Sequence, residues 1–178
     1  MGAGTSRLSK DDINQLTKKT SFSSAQIVKL FKRYKELDKK KEGYIHCDQL
    51  LDMPELSVNP LRRRIVNMVD EDKTGQISFK AFMKGMAPMC ENAPPEEKLD
   101  FAFRIYDVNG DNVIDHSDLR IIIKLLVGNN MSEQYVTQLV ETAMKDADKD
   151  GNMEITFEEF CSSIATSISV EKILTIVV

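Results

Sequence analysis

Along the chain, apolar residues fall at the i, i+3 step of a helix face in four places: Tyr34 with Leu37, Val66 with Val69, Phe103 with Tyr106, and Met144 with Ala147. Each pair is followed at once by twelve mostly polar residues that open on an aspartate, over 38–49, 70–81, 107–118 and 148–159. Inside every window position 8 is isoleucine (Ile45, Ile77, Ile114, Ile155), and the residue just past each window is Leu50, Phe82, Leu119 or Phe160. The windows begin 32, 37 and 41 residues apart, which makes them an internal repeat rather than four unrelated turns. The pattern predicts an all-α chain of four helix–loop–helix units. Each isoleucine would sit in a short extended segment that pairs with the same segment of a neighbouring loop. Units therefore come as two pairs in two lobes, one with two and three with four.

The break between pairs falls in "APMCENAPPEEK", 87–98, where Pro88, Pro94 and Pro95 interrupt helical periodicity and Pro95 suits the first turn of the next helix. The expected organisation is an N-terminal arm over 1–20, a first pair over 21–89, a linker over 90–98, a second pair over 99–168 and an apolar tail over 169–178. Ser23 with Gln26 reads as a capping box, and Asn59 with Pro60 as an N-cap and first-turn pair.

An aspartate-led twelve-residue loop between helices is the EF-hand arrangement. Side chains at positions 1, 3, 5, 9 and 12 and the carbonyl at 7 converge there on a hard cation. The four loops differ in what they offer. Loop 1, "DKKKEGYIHCDQ", places Lys40 at position 3 and Gln49 at position 12, so it is expected to hold no metal. Loop 2, "DEDKTGQISFKA", keeps Asp70, Asp72, Thr74 and Ser78 but ends in Ala81 and is expected to be empty or weak. Gly43 and Gly75 stand at position 6 of these two loops, so their fold should survive the loss of binding.

Loop 3 offers Asp107, Asn109, Asp111, the Val113 carbonyl, Asp115 and Asp118. Asp118 is one methylene shorter than glutamate, which points to weaker calcium binding or competition by magnesium. Loop 4 offers Asp148, Asp150, Asn152, the Glu154 carbonyl, Thr156 and Glu159, and is the best calcium site because it alone ends in glutamate. Its position 6 is Met153, a side chain where positive φ is expected. A rival frame beginning at Asp146 would put Gly151 at position 6, but it ends in Phe157 and takes Ile155 out of position 8.

Composition narrows the function classes. With 28 acidic against 24 basic residues, the net charge of −4 excludes a general nucleic-acid binder. Three cysteines without a CxxC spacing (Cys47, Cys90, Cys161) exclude a disulfide framework and a thiolate zinc site, and fit a reducing compartment. No apolar run approaches membrane-spanning length and no secretory leader follows Met1, so a cytoplasmic protein is expected. No HExxH, P-loop or nucleotide fingerprint is present, and His46 and His116 lie inside loops 1 and 3, so no catalysis is expected. "MGAGTS" matches the N-myristoylation pattern at Gly2; one such chain gives only marginal membrane binding, and hence reversible peripheral contact.

"PELSVNPL" (54–61), "FAFRIYD" (101–107), "LVGNN" (126–130), "ADKDGN" and "FEEFC" resemble the calcineurin B family, regulatory subunits of the calcium- and calmodulin-dependent protein phosphatase, over about residues 20–178. The resemblance implies a noncatalytic subunit whose lobes form one apolar groove filled by a helix of the catalytic subunit, a heterodimer. It also implies that Leu126 and Val127 help line a surface for substrate docking motifs and immunophilin–drug complexes, and it strengthens the expectation of an acyl group on Gly2. The sequence is compatible with such a groove: Met83, Met86 and Met89 recur at three-residue steps, and Ile122, Ile123, Leu126 and Val127 exceed what one buried helix face needs. Disabled first loops bring a second resemblance, to calcineurin-homologous cofactors of sodium/proton exchangers. The short connector between the second and third units speaks against it, and the disabled loops against a free calcium buffer.

Overall fold

The computed structural model describes residues 8–90, 92–128 and 131–167, with the side chains of 54, 55 and 164–167 excepted. Gly2, Asn129, Asn130 and the apolar tail over 169–178 lie outside the described residues. The chain divides into two compact units, 1–94 and 95–177, a boundary that falls within the proposed linker.

The first unit contains α1 (Lys10–Lys19), α2 (Ser24–Leu37), β1 (Tyr44–His46), α3 (Cys47–Leu51), α4 (Pro54–Ser57), α5 (Arg62–Val69), β2 (Gln76–Ser78), α6 (Phe79–Met86) and a 3₁₀ turn over Ala87–Met89. Helix α1 occupies the stretch expected to be an arm. It closes its own N-terminus with a Ser9–Asp12 capping box and packs on α2. Ser23 and Gln26 form the expected capping box at the start of α2. The helix expected after Asn59–Pro60 begins two residues later. Asn59 instead accepts the Leu61 N–H at 2.8 Å in a local turn, and α5 starts at Arg62.

The repeat's isoleucines meet as anticipated. In the first unit β1 and β2 pair antiparallel with Ile45 opposite Ile77, both fully buried. In the second, Ile114 and Ile155 exchange two backbone hydrogen bonds of 2.9 Å each.

The second unit comprises α7 (Pro95–Tyr106), α8 (His116–Val127), α9 (Glu133–Ala147) and α10 (Phe157–Ser167). Pro95 does open α7. Its core gathers Ala102, Phe103, Leu119, Val136, Val140, Met144 and Phe160 around the two isoleucines. The two units repeat one packing idea. The residue four before the first loop of each pair meets the residue just past the second loop: Tyr34 on Phe82 with ring centroids 5.7 Å apart, and Phe103 on Phe160 at 5.4 Å.

Candidate metal centres

All four loops share one backbone device, with two left-handed residues at positions 4 and 6. In loops 1 and 2 these are Lys41 (φ 57°) with Gly43 (84°) and Lys73 (54°) with Gly75 (73°). In loops 3 and 4 they are Gly110 (79°) with Asn112 (71°) and Gly151 (77°) with Met153 (68°). Each loop thus holds a single glycine, at position 6 in the first unit and at position 4 in the second. The second slot was not anticipated from sequence; in loop 4 it is filled by glycine, which leaves Met153 as the one side chain held at positive φ. It also decides the frame: Gly151 is position 4 and Ile155 position 8, as the Asp148 register requires.

The aspartate at position 1 closes each loop by accepting backbone N–H groups. In loop 3, Asp107 accepts from Gly110 at 2.7 Å and from Asn112 at 3.1 Å; in loop 4, Asp148 accepts from Gly151 at 2.7 Å and from Met153 at 2.9 Å. Position 12 then crosses the loop. Glu159 accepts the N–H of Lys149 at 2.8 Å with Oε1, and the N–H and hydroxyl of Thr156 at 2.9 Å each with Oε2. These donors, Thr156 first, pull its carboxyl down to about 2. Asp118 spans the matching pair, Val108 at 3.1 Å and Asp115 at 3.2 Å, while only 1% exposed. Burial raises its pKa above the usual carboxylate range, a cost that a cation would remove.

The carboxylates of Asp107, Asp111 and Asp118 converge with oxygens within 4.8 Å of one another, and so do those of Asp148, Asp150 and Glu159. Among the described residues no other such cluster of His, Cys, Asp and Glu occurs. The donor set fits a hard cation: oxygen ligands on closed loops, with no thiolate or imidazole in either cluster. Asp115, an expected ligand, stands outside its cluster. One of its oxygens accepts from Ser117 N at 2.7 Å, Ser117 Oγ at 2.7 Å and Asp118 N at 2.9 Å to cap α8. Asn109 and Asn152 each turn the side-chain oxygen to a backbone N–H two residues on, at 2.9 and 2.8 Å. Val113 and Glu154 lie directly before the bridged isoleucines.

Loops 1 and 2 differ at position 12. Gln49 accepts the His46 N–H at 2.8 Å and donates its amide to the Leu37 carbonyl, so a neutral side chain makes the crossing that Asp118 and Glu159 make with carboxylates. A hollow of about 310 Å³ in loop 1 is lined by Asp38, Glu42 and Asp48 but also by Lys40, whose positive charge opposes a cation there. In loop 2, Ala81 makes no crossing. Asp70 takes the N–H groups of Thr74 (3.1 Å) and Gly75 (2.9 Å), and the Cys47 thiol lies 3.5 Å from it. From beneath, Tyr34 donates its hydroxyl to the Ile77 carbonyl at 2.7 Å, bolting α2 to the paired strands.

The residues expected to face a partner divide. Met83 and Ile122 are fully buried, so here they serve the cores and present nothing outward. Met83 lies on the inward face of α6 and Ile122 on that of α8. Met86, Ile123 and Val127 are half-buried, the last two against the second unit's core, and Leu126 is 42% exposed. Ile121, Leu125, Met131 and Tyr135 are also exposed and went unnoticed, because one residue out of phase with a buried stripe reads as ordinary helix surface.

Four metal-type loops paired through isoleucine, two of them with converging carboxylates, define an EF-hand protein, and residues 96–165 match the profile of an EF-hand domain pair. The chain is 38% identical over 165 residues to the calcineurin B of Naegleria gruberi, covering 93% of each chain. It is 32% identical to calcineurin B type 2 of Dictyostelium discoideum (94% and 91% covered), and 36% identical to calcineurin B type 2 of Homo sapiens (88% and 92%). It belongs to the calcineurin B family. As a member it is a noncatalytic, calcium-binding regulatory subunit with a catalytic subunit as partner. No helix among the described residues is long and apolar enough to cross a membrane.

Proposed function

We propose that the chain binds calcium through loops 3 and 4 alone and docks a helix of a calcineurin-type phosphatase catalytic subunit on apolar surface. The observation that carries this is the coincidence, in one unit, of two carboxylate clusters with an exposed apolar run at the end of α8 and the start of α9, including Leu125, Leu126 and Met131. A surface rich in methionine and leucine suits an amphipathic helix. Leu126 and Val127 also serve docking motifs and immunophilin–drug complexes in the assembled enzyme, and an acyl group on Gly2 adds reversible membrane contact.

Calorimetric binding of a catalytic-subunit helix in calcium and in chelator, with an exchanger-tail helix as competitor, tests the reading. Preference for the phosphatase helix is expected, together with weaker binding in chelator. Preference for the exchanger helix would move the chain to the exchanger-cofactor class, the reading that silent loops 1 and 2 favour. An intact mass without the acyl increment on native protein would remove the membrane clause.

A further inference from the structure

We infer that loop 3 is a magnesium site and loop 4 a calcium site, so that the second unit carries two different ions at once. This rests on the reading of both loops as cation sites and adds which ion each selects.

Position 12 separates them first. Glu159 is long enough to keep its backbone bonds at 2.8 and 2.9 Å and still turn both oxygens to an ion. Asp118 lacks one methylene and already holds the equivalent donors at a stretch, 3.1 Å on one oxygen and 3.2 Å on the other, so its carboxylate has less reach toward an ion and counts here as a one-oxygen ligand. Counting one oxygen each from Asp107, Asn109, Asp111, Val113 and Asp118, and one water, gives the six ligands that magnesium demands. The second oxygen of Glu159 takes loop 4 to the higher numbers that calcium accepts.

Burial points the same way. Two carboxylates of the loop 3 cluster, Asp107 and Asp118, are buried; none of the loop 4 cluster is. A buried, backbone-anchored ligand set expands less readily toward a larger ion. Asn109 and Asp111, which remain exposed, leave a side open for the magnesium-bound water.

The position 6 amides report the two sites separately in the whole, unsubstituted chain: Asn112 N–H donates to Asp107 and Met153 N–H to Asp148, each a cluster carboxylate that a cation would polarise. Starting from metal-free protein, magnesium chloride at millimolar concentration should move the Asn112 amide resonance downfield and leave Met153 in place. The first equivalent of calcium chloride should then move Met153 while Asn112 keeps its magnesium position. Asp118→Glu should raise calcium affinity at loop 3 by about tenfold or more and end the competition by magnesium. The inference fails if magnesium moves both amides alike, if the first calcium equivalent goes to Asn112, or if Asp118→Glu leaves the calcium-to-magnesium preference unchanged. If neither amide responds to either ion, the reading of loops 3 and 4 as cation sites fails with it.

Discussion

The two units solve one closure problem with different materials. In the first, protein atoms do what an ion does elsewhere: the Gln49 amide crosses loop 1, Lys40 lines its hollow, and the Tyr34 hydroxyl pins the paired strands from below. In the second, each loop instead brings three carboxylates together, a charge that a cation balances. The composition follows the division. Residues 1–94 carry 17 Lys and Arg against 12 Asp and Glu, while residues 95–177 carry 7 against 16. A loop relieved of its ion can accept three successive lysines at 39–41; a loop that holds one cannot. One unit is therefore expected to be constant scaffold and the other to respond to cations.

The strongest way to break this contrast is to strike the same position in each unit. Ile45→Ala should cost about 2–5 kcal/mol of first-unit stability while leaving calcium affinity unchanged, and Ile155→Ala should cost a similar amount and weaken calcium binding as well. Denaturant melts read beside calorimetry decide it, and equal loss of calcium binding in both variants would show that the units are not separable. Next in size is removal of cation. At a hundredfold saturation an ion contributes about 2.7 kcal/mol, so a chelator should lower amide protection in α7–α10 by about a hundredfold and leave α2 and α5 unmoved in hydrogen exchange. Equal loosening of the first unit would mean that loops 1 and 2 hold metal after all.

Tyr34→Phe sharpens the scaffold side. Burial, with the Asp38 charge behind it, raises the phenol's pKa well above its ordinary range, so the group stays neutral and donates at any working pH. Its loss should cost about 1 kcal/mol, measured by the urea midpoint. Met153→Gly should have the opposite sign, raising second-unit stability by about 1 kcal/mol or less as a side chain leaves positive φ. The smallest effect is acid dependence in metal-free protein. Glu159 has its pKa lowered from 4.5 to about 2 by its backbone donors, so its contribution is present above 4.5 and is lost as pH falls through that window toward 2. Glu159→Gln should flatten that slope.

Much of this was legible in the chain because it is periodic. The isoleucine at position 8 announced the pairing, the i, i+3 steps announced the helices that enter each loop, and the carboxylate at position 12 sorted loops 3 and 4 from loop 2. What escaped detection depends on direction rather than spacing. Gln49 read as a missing ligand, yet an amide both donates and accepts, and its two bonds keep loop 1 shut without metal. Asp115 read as a ligand alone, and its role as the cap of α8 was missed: a short carboxylate at a helix start is drawn to the unsatisfied N–H groups of that helix. Met83 and Ile122 showed the right elements and the inward face, because an apolar stripe does not say which side of it the core takes.

The two left-handed slots also bear on how such loops can change. In a loop with glycine at both slots the added chain entropy, about 0.5–1 kcal/mol, is offset by the strain that leaves, whereas one with side chains at both carries about 1–2 kcal/mol of strain at each. Single substitutions connect the arrangement of loops 1 and 2 with that of loops 3 and 4 safely only through the two-glycine form. A library built to move glycine between positions 4 and 6 should therefore add the new glycine before removing the old one.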